Sequence, residues 1–94
     1  MPITKVEGKH REHRVFLYAL STCGWCKKTK QFLRDNGVEY EYLDVDTAGK
    51  EEREEAIKEL RARKAPLGFP IIVVDGERLI VGYRVDELRE ALSL

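Results

Sequence analysis

Val15-Phe16-Leu17-Tyr18-Ala19-Leu20-Ser21-Thr22-Cys23-Gly24-Trp25-Cys26 is the stretch on which the reading of the fold turns. Val15 to Leu20 is an unbroken apolar run with two aromatic residues, too short for a typical helix and suited to a buried strand. Ser21, Thr22 and Gly24 interrupt it and predict a turn. Beyond the turn the spacing becomes helical, with Cys26, Phe32 and Leu33 on one face, and Ser21 and Thr22 are candidate caps. Asn36-Gly37 supplies the left-handed residue that commonly ends a helix, so the expected span is 24–36. Cys23 therefore stands where a strand feeds a helix, and Cys26 one turn inside it.

The elements on the C-terminal side follow from the same periodicities. Val38 to Val45 alternates apolar and acidic residues, the pattern of a strand with one wet face. Glu51 to Arg63 sets Ala56, Ile57 and Leu60 on one face of a charged helix. Its Glu54–Lys58 and Glu59–Arg63 pairs have the favourable i, i+4 order, worth ~0.3 kcal/mol each, so the charge run is read as structural. Ala65 to Pro70 is a loop; Ile71 to Val74 and Arg78 to Val81 flank Asp75-Gly76, a two-residue hairpin signal. Asp86 to Leu94 closes the chain as a helix, with Asp86 a candidate cap. The order strand, helix, strand, helix, strand, strand, helix predicts an α/β fold with a mixed four-stranded sheet flanked by helices. Residues 1–13 form an extension or an additional edge strand, because Ile3 and Val6 precede Gly8, which can turn the chain back.

Ninety-four residues suffice for one core, so residues 1–94 are read as a single domain. Seventeen basic and seventeen acidic residues cancel, which argues against nucleic acid or an anionic membrane as partner. Lys5, Glu7, Lys9, Arg11 and Glu12 interrupt any signal-peptide core, and no apolar run approaches the roughly eighteen residues of a membrane span. A cytoplasmic monomer is expected. The only two cysteines lie three positions apart, closing too small a loop to act as a stabilising staple.

Their placement points to redox chemistry instead. Free N–H groups and the positive end of the helix dipole favour a thiolate on Cys23, and Lys27 and Lys28 add to this. Such a thiolate attacks a disulfide to form a mixed disulfide, which Cys26 displaces. A closed zinc site needs four ligands, and His10 and His13 lie together in the extension as exposed polar residues, so no metal is expected. Trp25 reads as an exposed contact for protein substrates, and Tyr18 and Phe69 as core or rim packing.

With Cys-Gly-Trp-Cys after a strand, and GFP-IIVVDG opening the third strand with Pro70, residues 14–94 resemble the glutaredoxin and thioredoxin superfamily. The resemblance implies a thioredoxin fold and a cis Pro70 that faces the cysteine pair and helps grip the substrate backbone. CKKTK from Cys26 and Gly82-Tyr83-Arg84-Val85-Asp86 are similar to the redoxins that donate electrons to ribonucleotide reductase. Three features differ from glutathione-binding members: Gly24 replaces a proline, Leu20 a basic residue and Tyr83 a second glycine. Asp86 and the backbone beside Pro70 remain as glutathione contacts. The resemblance thus implies a dithiol oxidoreductase that reduces protein disulfides through Cys23 and Cys26, with Trp25, Phe69, Pro70, Tyr83 and Asp86 binding substrate. No cofactor is implied beyond the Cys23–Cys26 disulfide, and the electron donor is a flavin-dependent thioredoxin reductase or glutathione. The alternatives are a glutathione-dependent glutaredoxin and a dimeric module sharing an iron–sulfur cluster through Cys23.

Overall fold

The computed structural model describes residues 3–66 and 68–94. Its elements are β1 (Thr4–Val6), β2 (Val15–Ala19), α1 (Gly24–Asp35), β3 (Tyr40–Asp44), α2 (Lys50–Ala62), β4 (Ile71–Val74), β5 (Arg78–Val81) and α3 (Val85–Leu92). They build one mixed sheet in the order β1-β3-β2-β4-β5. β2 runs parallel to β3 and antiparallel to β4, while β4–β5 and β1–β3 are antiparallel. The sheet with its three helices has the thioredoxin-like arrangement that the resemblance implies.

β2 is central because both of its faces find cover. Val15, Leu17 and Ala19 pack with Cys26, Phe32 and Leu33 of α1 and Leu88 and Leu92 of α3. Phe16 and Tyr18 point to the other face, where Leu43 and Val45 meet Ala56 of α2. β4 is buried along its whole length, which accounts for four consecutive β-branched residues. Asp75 and Gly76 both have positive φ, 55° and 70°, the backbone that a two-residue turn between antiparallel strands requires.

The extension does supply a fifth strand. It pairs with β3, Thr4 opposite Tyr42 and Val6 opposite Tyr40, and so lies at the edge of the sheet away from the hairpin. Neighbours on both sides already occupy β2, so the added strand takes the edge that β3 presents. Gly8 makes the return possible by close approach: a Cβ there would lie 2.7 Å from Glu39 N and Val38 C and closer still to Gly37 O. The chain then crosses beside Val38, with His10 N donating to Gly37 O at 2.9 Å and Glu39 N donating to His10 O at 3.0 Å.

Several local expectations shift. β3 begins at Tyr40 and not at Val38, which forms only an isolated bridge with His10. Neither Ser21 nor Thr22 caps α1, because Cys23 does so itself. Asp86 sits inside the first turn of α3, whose N-cap is Arg84, so its carboxylate faces the helix dipole without capping. Arg63 Nε lies 3.1 Å from Glu59, whereas Glu54 and Lys58 form no ion pair among the described residues. His13 is not simply an exposed polar residue: its Nδ1 is 2.8 Å from Asp75 Oδ2.

Candidate functional site

The loop before α1 is held at both ends. Cys23 N donates to Leu20 O at 3.2 Å, closing the turn that follows β2. Ser21 fastens the loop to the turn that follows β3, its N–H donating to Asp46 Oδ1 at 2.8 Å and its hydroxyl to Asp46 Oδ2 at 2.6 Å. These bonds hold the Asp46 carboxyl below its ordinary range, because they favour the charged form. Asp46 was not visible as a site-positioning residue in the sequence.

Cys23 occupies the N-cap of α1 with extended backbone, φ −84° and ψ 117°. Its Sγ accepts from Cys26 N at 3.2 Å, placing sulfur where a serine or aspartate oxygen usually sits. Any negative charge on that sulfur therefore meets a donor and the positive end of the helix dipole. Cys26 differs sharply, with no exposed surface and its side chain within the core. Burial, reinforced by the hydrogen bond and charge of Cys23, pushes its thiol up to about 12. Two free thiols thus stand one turn apart, one at the surface of the site and one held neutral beneath it.

An aromatic opening adjoins the pair. Trp25 is 57% exposed, and its ring stacks on Tyr83 with centroids 5.7 Å apart. Lys28 Nζ lies 4.7 Å from the centre of the same indole. Trp25, Phe69, Pro70, Gly82 and Tyr83 line a cavity of about 250 Å³. The Phe69–Pro70 peptide bond is cis, and Pro70 O accepts from Gly82 N at 2.7 Å. Gly82 has φ +91°, which keeps a side chain out of this crossing. The sequence marked Gly82 only as part of the Gly82–Asp86 segment, and not as a lining residue.

Four of the five expected substrate contacts, Trp25, Phe69, Pro70 and Tyr83, therefore converge. Asp86 does not join them, lining a neighbouring opening that shares Tyr83. Phe69 combines two positions, since it also packs against the buried clusters on both faces of the sheet. The backbone beneath is braced by Thr29, fully buried, whose hydroxyl donates to Trp25 O at 2.9 Å. The arrangement can present a sulfur nucleophile beside an apolar cleft, with a second sulfur in reserve. No helix among the described residues is long and apolar enough to cross a membrane.

Known proteins share this fold. Residues 15–79 match the family model described as Glutaredoxin. The chain is 35% identical over 78 residues to an uncharacterised glutaredoxin-like 8.6 kDa protein in the rubredoxin operon of Clostridium pasteurianum, covering 82% of this chain and 95% of that one. It is 40% identical to the glutaredoxin of Methanosarcina mazei, with a TM-score of 0.84, covering 100% of this chain and 90% of the other. The glutaredoxin-like NrdH-redoxin of Escherichia coli, described as having a thioredoxin-like activity profile, aligns with a TM-score of 0.67 at 26% identity, covering 82% of this chain and 92% of that one.

Proposed function

We propose that this chain, which belongs to the glutaredoxin family, is a dithiol oxidoreductase that reduces protein disulfides through Cys23 and Cys26. The observation that carries the reading is the hydrogen bond from Cys26 N to Cys23 Sγ at the start of α1, beside an exposed indole. Cys23 attacks as the thiolate and joins one substrate sulfur, and the other substrate sulfur leaves and takes a proton. Cys26 then loses its proton and attacks Cys23 Sγ, releasing the second substrate thiol and leaving a Cys23–Cys26 disulfide. Two electrons pass to the substrate, and no cofactor beyond the cysteine pair takes part. Because Cys26 is held neutral by burial, it stays protonated until the mixed disulfide has formed, which separates the two steps.

Trp25, Phe69, Pro70 and Tyr83 receive the polypeptide around the substrate disulfide, and the apolar lining favours a protein over a small charged thiol. Leu20 in place of a basic residue and Tyr83 in place of a glycine weigh against glutathione as the working reductant. The thioredoxin-like profile ascribed to the Escherichia coli relative supports the same preference. In this reading a flavin-dependent thioredoxin reductase supplies the electrons, and the protein acts as a cytoplasmic monomer.

Trp25 is the only tryptophan in the chain, so its fluorescence reports on the adjacent disulfide. Oxidised protein is titrated with reduced glutathione and, separately, with NADPH and a thioredoxin reductase. A change driven by the reductase and not by glutathione is expected. A fast response to glutathione alone would replace this reading with a glutathione-dependent one, centred on Asp86 and the Pro70 region. A brown dimer after anaerobic purification would replace it with a bridged iron–sulfur cluster.

A further inference from the structure

The sheet face opposite α1 is only partly covered by α2, and the uncovered part forms a groove of about 360 Å³. Its floor is apolar, made by Ile3, Phe16, Tyr18 and Leu43, with the Phe16 and Tyr18 rings 4.8 Å apart. Ile3 is 38% exposed, one of two large apolar side chains left open among the described residues. The opposite wall is α2, which contributes Glu52, Glu55 and Glu59 and no lysine or arginine. Glu59 is paired with Arg63, while Glu52 and Glu55 form no ion pair among the described residues. Burial first, and the Glu59 carboxylate second, hold the Tyr18 phenol above its usual range. In a chain with no net charge, this groove combines an apolar floor with carboxylates that have no ion-pair partner among the described residues.

We propose that the groove docks a basic segment of a partner protein, with its apolar side chains on Ile3, Phe16, Tyr18 and Leu43 and its lysines or arginines against Glu52 and Glu55. Removing the floor from water favours binding, and the carboxylates set the sign of the partner and its orientation. An acidic segment would place like charges together in the same space. The groove lies on the face of β2 that alternates with the face packed against Cys26. A partner held there leaves the cysteines open, so docking and disulfide exchange can proceed together and raise the local concentration of the partner's disulfide. The inference stands on the groove itself and does not depend on which reductant the cysteines use.

The test uses the full-length protein, ¹⁵N-labelled, and two synthetic amphipathic peptides of equal length, one built from leucine and lysine and one from leucine and glutamate. The lysine peptide is expected to shift the amide signals of Phe16, Tyr18, Leu43 and Ala56, and added salt should weaken the effect. In Glu52→Gln/Glu55→Gln, affinity should fall between about threefold and tenfold, the range for two partly exposed charge contacts. The alkylation rate of Cys23 should be the same in both proteins. Equal binding of the glutamate peptide, shifts confined to Trp25, Phe69 and Tyr83, or no shifts at all would each overturn the proposal. So would concentration-dependent shifts of the groove signals without peptide, which would assign the face to a second copy of the chain. Because the cysteine pair is read separately by alkylation, failure of docking is distinguishable from failure of the redox assignment.

Discussion

The two ends of the central strands treat their polar groups in opposite ways. At the end away from the cysteines, several polar groups fasten distant segments to one another. Asp75 accepts from His13 Nδ1 and from Arg14 N, each at 2.8 Å, and returns a backbone bond to Arg14 O at 2.7 Å. Arg63 Nη1 donates to Gly76 O at 2.9 Å, and the extension is sewn to Gly37 and Glu39 through His10. At the cysteine end, the Ser21–Asp46 latch holds the loop, but Trp25 and Tyr83 form an open aromatic surface beside a sulfur that accepts a single backbone bond. One end therefore holds the chain together and the other leaves apolar surface for a partner. Substitutions should divide along the same line, those at the first end changing stability and those at the second changing turnover.

The largest effects belong to the cysteine end and fall on turnover. Cys23→Ser is expected to bring disulfide reduction down to the uncatalysed background, because the other thiol, Cys26, is buried. Cys26→Ser should also stop turnover, but with a covalent complex between Cys23 and substrate on a non-reducing gel. Turnover surviving in the first variant, or no trapped complex in the second, would erase the division of labour between the two thiols.

Gly8→Ala probes the opposite end and comes next in size. Its methyl group would press on backbone atoms of residues 37–39, which have little freedom to move. Overpacking of this kind typically costs about 1–3 kcal/mol, measurable by urea unfolding, with the reduction rate unchanged. An equal loss of activity would show that the two ends are coupled. Trp25→Ala is the converse case. Losing an exposed aromatic contact should raise KM for a protein disulfide by about fivefold to thirtyfold, or ~1–2 kcal/mol. A small disulfide should react as before, and the unfolding midpoint should not move.

The smallest effect concerns pH at the fastened end. Hydrogen bonds from His13 and Arg14 hold the Asp75 carboxyl below its ordinary 3.8. A carboxyl depressed in this way contributes stability above its unfolded pKa and loses it as pH falls through the folded value. Asp75→Asn keeps a residue that tolerates the positive φ while removing the charge. Its midpoint should lie below that of the wild type near neutral pH, and the gap should narrow as pH falls below about 3.8. A gap independent of pH would assign the contribution to hydrogen-bond geometry and not to charge.

Features whose cause is local were legible in the sequence. The apolar run of β2, the Asp75-Gly76 turn, and the end of α1 at Asn36-Gly37 each follow from a few neighbouring residues. The position of the cysteine pair at a strand-to-helix junction followed as well. Features that join distant segments were not. Ser21 meets Asp46 across 25 positions and His13 meets Asp75 across 62, and neither pairing leaves a periodic trace. The cap of α1 differs from the expected hydroxyl for a chemical reason: hydroxyls are the commoner caps, yet Ser21 is already committed to Asp46 and the Cys23 sulfur takes the position. The Trp25–Tyr83 stack likewise depends on how the end of β5 passes α1, which no single segment specifies.

β1 also bears on how densely the protein can accumulate. Without it, β3 would present five residues of unpaired backbone, two of them tyrosines, as a template on which a second molecule could extend the sheet. β1 covers that edge with only three residues of its own. The replacement edge carries Lys5, whose ammonium lies 3.8 Å from Glu39, so its surface is short and charged where the covered one is longer and aromatic. The extension thus acts as a guard against fibre growth, and a chain shortened to begin near Val15 should aggregate at concentrations where the full chain stays dispersed.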